Sequence, residues 1–241
     1  AHTERIHVAA NVHNLPLRGQ PAVFARAAAS LDLLSGGRFE MGLGAGGFWD
    51  AIEAIGGRRL TPGQGVDALS EAIDIMRGVW DAAERTPLRV PGEFYSVNGT
   101  KRGPAPAHDI PIWVGALKPR MLRLIGTKGD GWLPSLAYLK PSDLTAGNAA
   151  IDEAAAAAGR DPREIRRLLN IGELPVDQLV DLALEEGTGT FILASDDPAT
   201  MQRFADDVIP EVRERVAAER AERGTGQGRV RNSIALAKRR E

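Results

Sequence analysis

Six times along this chain a short, β-prone apolar run is followed by a longer helical one. RIHVAA (5–10) precedes PAVFARAAASLDLL (21–34), and FEMGLG (39–44) precedes QGVDALSEAIDIMRGVW (64–80). PIWVG (111–115) leads into KPRMLRLIGTK (118–128), and GWLP (131–134) into PSDLTAGNAAIDEAAAAAG (141–159). EIRRLLNIG (164–172) leads into PVDQLVDLALEEG (175–187), and GTFILA (189–194) into a helical stretch over 198–220. Neighbouring parallel strands need a crossover of a dozen or more residues, usually a helix, so the alternation confines the chain to an α/β fold with a helix-covered parallel sheet.

Punctuation agrees with these units. Asp196 or Asp197 before Pro198 reads as an N-cap with proline in the first turn, and Pro141-Ser142-Asp143 opens its helix in a similar way. Gly36, Gly129, Gly159 and Gly187 fall just past helical runs, where a left-handed C-cap is expected. Residues 82–109, with FYSVNG inside, exceed a minimal connection and read as a hairpin whose exit is marked by Pro104, Pro106 and Pro111.

The run MGLGAGGFWD contains Gly42, Gly44 and Gly47 in the G-x-G-x-x-G spacing of a dinucleotide-binding turn. That site needs a helix immediately after the third glycine and an acidic residue about 20 positions on, at the end of a second strand. Here the next strongly periodic helix starts near Gln64, and Asp67, which has the spacing, lies inside it. The glycines instead mark a strand end whose bare backbone admits close approach.

Ligands of parallel β/α folds gather at the C-terminal strand ends. Those ends read Asn11-Val12-His13-Asn14, Gly44-Ala45-Gly46, Gly115-Ala116-Leu117-Lys118, Pro134-Ser135, Asn170-Ile171-Gly172 and Ala194-Ser195. Small residues dominate, which suits a flat ring. Gly115 to Lys118 opens a helix, so free N–H groups with Lys118 suit a phosphate. His13 is a candidate proton donor, and Phe48 and Trp49 are candidate pocket walls.

Composition removes alternatives. A net charge of −2 and a pI near 6.2 give no global attraction to nucleic acid or an anionic membrane, and neither is expected as a partner. Zero cysteines exclude disulfides, thiol catalysis and thiolate metal sites, and no metal is implied. No apolar run approaches the roughly 18 residues of a membrane span, and the start lacks the order of a signal peptide. A cytoplasmic protein is expected. After Arg220 the chain becomes glycine-bearing and basic, so the domain is expected over 1–220 and a solvated tail over 221–241.

The ordered segments SLDLLSGGRFEMGLGAGGFWDAIEAIGG, VDALSEAIDIMRGVW, FYSVNG and IPIWVGALKPRMLRLIGTKGDGW strongly resemble the bacterial-luciferase-like flavin and deazaflavin oxidoreductases. The wording is similar to the branch that uses coenzyme F420, related to methylenetetrahydromethanopterin reductase. The resemblance implies a (β/α)8 TIM barrel, of which the six units are strands three to eight. It implies hydride transfer between F420 and a small organic substrate, with FMN-dependent monooxygenation served by a flavin reductase as the alternative, or a non-catalytic flavin-binding relative. It implies cofactor contacts at Asn11, Val12, Gly44, Ala45, Gly46, Gly115, Ala116, Leu117 and Lys118, a non-prolyl cis peptide near Asn11–Val12, and a homodimer. Two departures stand out: no acid–histidine pair of the kind that follows the family's second strand occurs, and NIGELPVDQ leaves only Gly172 and Glu173 where the family has a longer loop.

Overall fold

The computed structural model describes residues 2–17 and 19–237. The chain divides into two compact units, one of residues 1–135 and 139–167, the other of residues 136–138 and 168–241.

In the first unit, β1 (Val8–Ala9) and β2 (His13–Asn14) are two pieces of one strand, and both pair in parallel with β3 (Phe39–Gly44). Between them the partner advances from Ala9 to His13, four steps, while β3 advances from Glu40 to Leu43, three steps. The extra residue is a bulge, and the non-prolyl cis bond lies inside it at Asn11–Val12, as the resemblance implied. β3 continues the parallel ladder to β6 (Ile112–Val114), β6 to β7 (Gly131–Trp132), and β7 to the first residues of β8 (Arg166–Ile171).

Helices α1 (Pro21–Ser35), α2 (Trp49–Ala54), α3 (Pro62–Trp80), α4 (Pro119–Lys128) and α5 (Pro141–Ala157) belong to this unit. A capping box starts α3, where Thr61 accepts from the Gln64 amide and Gln64 accepts from the Thr61 amide. The Trp80 indole donates to the Ala25 carbonyl at 2.8 Å and ties α3 to α1. The expected hairpin is present as antiparallel β4 (Leu88–Val90) and β5 (Val97–Thr100). Its turn is held by Glu71 of α3, whose carboxylate accepts from the amides of Glu93, Phe94 and Tyr95.

Three polar anchors, two of them buried, tie the ends of the sheet strands. Asp32, fully buried on α1, accepts from the amides of Phe39, Ala107 and His108, and His108 Nδ1 lies 2.9 Å from its Oδ1. Burial opposes ionisation of Asp32, but the His108 side chain and the His108 and Phe39 amides outweigh it and hold the carboxyl below its usual range. Asp130 accepts from the Ile112 amide at 2.8 Å and from Arg77 at 2.7 Å. The Trp132 indole donates to the Ala116 carbonyl at 3.0 Å.

The second unit pairs the rest of β8 in parallel with β9 (Thr190–Leu193) and covers the pair with α6 (Val176–Glu185), α7 (Pro198–Arg203) and α8 (Ile209–Ala237). Asp197 caps α7 by accepting from the Thr200 amide, with Pro198 following, as the sequence indicates. A π-helical turn, Phe204–Val208, joins α7 to α8. Leu179, Phe191, Phe204 and Val212 border a cavity of about 760 Å³ in this unit.

Two expectations need correction. Gly129 ends α4 but is extended, with φ −83 and ψ 160; its glycine answers to crowding, since a Cβ there would lie 3.1 Å from the Ile125 Cα. A helix, α2, does begin almost at once after Gly47, because Phe48 caps it in a left-handed conformation that sequence patterns do not forecast for phenylalanine. The dinucleotide reading still lacks its acid: Asp67 lies within α3 and pairs with Arg120. α8 passes Arg220 without a break and reaches Ala237; Lys238 to Glu241 of the expected tail lie outside the described residues.

Candidate cofactor site

Alternation along β3 sorts its residues onto two faces. His13 is aligned with Leu43, and its ring stands edge-on to Phe24 of α1 with centroids 4.8 Å apart, so the Leu43 face is the one α1 covers. Phe39, Met41 and Leu43 are buried there. Glu40, Gly42 and Gly44 take the opposite face, and Trp113, aligned with Gly42, shares it.

On that opposite face the bulge explains the glycines. A Cβ on Gly42 would sit 1.9 Å from the Ala10 carbonyl oxygen and 3.4 Å from Val12 Cγ1. One on Gly44 would sit 2.8 Å from both Val12 Cγ2 and Asn14 Oδ1. The bare backbone of β3 is therefore filled by the chain's own Ala10–Asn14 segment. A ligand meets that segment rather than β3 itself. Val12 also lies over Gly115, whose Cβ would be 3.6 Å from Val12 Cγ1 and 3.5 Å from the Leu133 carbonyl oxygen.

The predicted residues thus fall into distinct positions. Val12, Gly44 and Gly115 come together at the C-terminal ends of β3 and β6. Asn11 is exposed beside them. Ala116 is buried next to Gly115, while Leu117 and Lys118 are exposed at the start of α4, where Lys118 is the N-cap. Ala45 backs onto α3: a Cβ on Gly65 would lie 3.5 Å from the Ala45 Cβ. Gly46 has φ +114 and lies under the Trp49 ring, which a Cβ would meet at 2.4 Å. Phe48 is 84% exposed. Asp50 and Glu53, the nearest acids in sequence, both pair with Arg59.

Sequence reasoning put Asn14 at the ligand-gathering strand end and Gly42 in the bare strand, but assigned neither a cofactor contact. The available signal was spacing of two: Val12 with Asn14 and Gly42 with Gly44 must share a face of an extended strand. It also placed His13 with the site, whereas the register turns His13 toward α1. Below the bulge, Glu40 Oε1 lies 2.9 Å from His7 Nδ1, and the buried Glu40 Oε2 and Trp113 Nε1 have no hydrogen-bond partner among the described residues.

The arrangement fits a flat, mostly uncharged ring with an anionic tail. Val12 and Gly115 offer an apolar surface at backbone level, and the α4 N-terminus beside it carries Lys118 and Arg120. The fold and this end of the sheet define a parallel β/α protein of the kind that holds ligands at its C-terminal strand ends.

Residues 1–172 match the Luciferase-like monooxygenase family, and the chain belongs to it. It is 31% identical over 218 residues to a 5,10-methylenetetrahydromethanopterin reductase of Archaeoglobus fulgidus, covering 88% of this chain and 61% of the relative. It is 36% identical over 148 residues to an F420-dependent hydroxymycolic acid dehydrogenase of Mycobacterium tuberculosis, covering 60% of this chain and 38% of the relative. In structure it is similar to an F420-dependent secondary alcohol dehydrogenase solved with an F420-acetone adduct, with a TM-score of 0.64, 22% identity, and coverage of 76% of this chain and 55% of the other. That likeness bears out the expected barrel fold class. The chain spans about three-fifths of the first of these relatives, and less of the second.

Proposed function

We propose that this chain is part of an oxidoreductase that exchanges a hydride between coenzyme F420 and a small organic substrate. The observation that carries the reading is the bulge seated in Gly42 and Gly44, which presents Asn11, Val12 and Asn14 beside Gly115 at the ligand end of the sheet. The F420-dependent relatives support the choice of cofactor. F420, when bound, supplies the hydride donor or acceptor.

The chain's own residues bind and orient. Val12 and Gly115 back the ring, Gly44 acts through the side chains of Val12 and Asn14 that rest on it, and Ala45 and Gly46 shape the turn beyond. Lys118 and the positive end of the α4 dipole hold the anionic tail. Phe48 and Trp49 wall the substrate side. His13 seats the bulge on α1, with proton donation to the substrate as its alternative role. The reading includes a homodimer in the cytoplasm; among the described residues no helix is long and apolar enough to cross a membrane.

Titration of the protein with F420 and with FMN, read by cofactor fluorescence, tests this. Micromolar or tighter F420 binding with weak FMN binding is expected. Preference for FMN would replace the reading with a monooxygenase served by a reductase, and binding of neither would overturn it.

A further inference from the structure

Helix α2 has little of its own to hold it in place. It is six residues long, far short of the roughly 12–15 below which a helix is marginal by itself, and Ile52 is its one buried side chain. Yet it begins with Trp49, the wall of the substrate side in the reading above, whose ring covers Gly46. Contacts outside the helix must therefore fix where that wall stands.

The loop that follows supplies them. Gly56, at φ +83, and Gly57 close the helix by donating to the Glu53 and Ile52 carbonyls. Arg59 then turns back and pairs with both acids of α2, with Asp50 and, at 2.6 Å, with Glu53, which share a helix face. Its neighbour Arg58 reaches the hairpin instead, with its guanidinium carbon 5.4 Å from the centroid of the Phe94 ring. Phe94 is itself held, because its amide and those of Glu93 and Tyr95 donate to the Glu71 carboxylate of α3 at 2.8 to 2.9 Å. Gly92 makes that seat possible: a Cβ there would lie 2.1 Å from the Tyr95 carbonyl oxygen and 2.7 Å from the Glu71 carboxylate. One line of contacts runs from α3 through the hairpin turn and the two arginines to Trp49.

We propose that the β4–β5 hairpin positions the substrate wall, and that Arg58, Arg59 and Phe94 are positioning residues for Trp49. Exposed pairs contribute little singly, so their weight here comes from how little else holds α2. A hairpin turn seated elsewhere along α3 would carry the loop over 55–61 and α2 with it, and would change the room beside the cofactor. Which substrates fit is then set partly by a segment that touches none of them. This assignment rests on the F420 reading, which puts substrate against Trp49.

Trp49 can be followed directly. Of the four tryptophans it alone is partly exposed, since Trp80, Trp113 and Trp132 are buried, so acrylamide quenching reports on it. In Phe94→Leu and in Arg58→Met, amide exchange across α2 is expected to quicken about two- to fivefold, the scale of one exposed cation–π contact, and quenching of Trp49 to rise with it. Glu71→Gln, at a residue whose carboxylate bonds to the turn and not to α2, is expected to do the same by freeing the turn. Phe94→Tyr and Arg58→Lys keep a ring and a cation in place and should restore wild-type values. F420 affinity should stay within about threefold of wild type in every variant, since none touches the bulge or α4. Exchange and quenching that remain at wild-type values while F420 binds would overturn the tether alone, as would an equal quickening across α3, which marks general destabilisation. A wild-type chain that binds no F420 would overturn the reading and the substrate wall with it.

Discussion

The two faces of β3 are built by opposite rules. Toward α1, Phe39, Met41 and Leu43 present bulk, and Met41 and Leu43 have no exposed surface. On the other side Gly42 and Gly44 present none, and the bulge of residues 10–14 lies in the space they leave. The first face is stabilised by burial, the second by the absence of side chains. One strand thus separates what holds the fold from what positions the site, and substitutions on the two sides should have separable effects.

The largest expected effect lies on the bulky side. Met41→Ala removes a fully buried side chain and leaves a cavity, so it should lower unfolding free energy by about 2–5 kcal/mol. Denaturant midpoints would measure this, while F420 affinity of the folded fraction should stay within about threefold of wild type, since no atom of the bulge moves. Equal loss of stability and affinity would break the division between the faces.

On the bare side the expectation reverses in kind. Gly42→Ala puts a Cβ where the Ala10 carbonyl stands, and one of the two must move. Overpacking of this type costs about 1–3 kcal/mol. The more telling result is binding: lifting the bulge displaces Val12, and F420 affinity should fall by at least about tenfold, equivalent to about 1.4 kcal/mol. If Gly42→Ala binds F420 as wild type does, the bulge is not the cofactor surface.

Acid should act on the α1 side through Asp32. Asp32 has a folded-state carboxyl held below its ordinary value of 3.8, so its stabilising contribution is present above that value and is lost as pH falls through the lower, folded one. Urea midpoints of wild type should therefore drop on acidification below about pH 4, and those of Asp32→Asn should drop less steeply. At neutral pH the variant should already be weaker by about 1–3 kcal/mol, because a neutral amide cannot accept from the Phe39, Ala107 and His108 amides as the carboxylate does. Parallel pH profiles for the two proteins would show that Asp32 does not anchor α1.

How far the sequence could be read follows the same division. The bulky face announces itself through apolar runs: FEMGLG fills β3 from Phe39 to Gly44, and the helix read over 21–34 is α1. Hydrophobic period is a local signal, and burial obeys it. The bare face was legible only in part. Gly42 and Gly44 signalled a close approach, but not that the chain's own Ala10 and Val12 make it, because that contact joins segments about thirty residues apart. Position 12 was reached through family likeness, not through pattern. Helix α2 was invisible for a related reason: its start depends on Phe48 at φ +46, a conformation its surroundings impose and its residue type does not suggest.

The smallest effect is expected at His13, and it is the sharpest test of the division. The ring lies on the α1 side, edge-on to Phe24, so its role there is to seat β2 on the helix. Phenylalanine keeps the size of the ring and its edge-to-face contact, so His13→Phe should keep β2 packed on α1. A general acid or base contributes about 10²–10⁴-fold to a rate, far outside what repacking a conservative aromatic exchange produces. With a substrate in hand, turnover within about threefold of wild type, at unchanged F420 affinity, would fix His13 as a positioning residue. A turnover loss of a hundredfold or more, with F420 affinity unchanged and a pH profile that loses one limb, would make it the proton donor. That outcome would also mean that chemistry reaches through to the face α1 covers, and the separation of the two sides of β3 would fail.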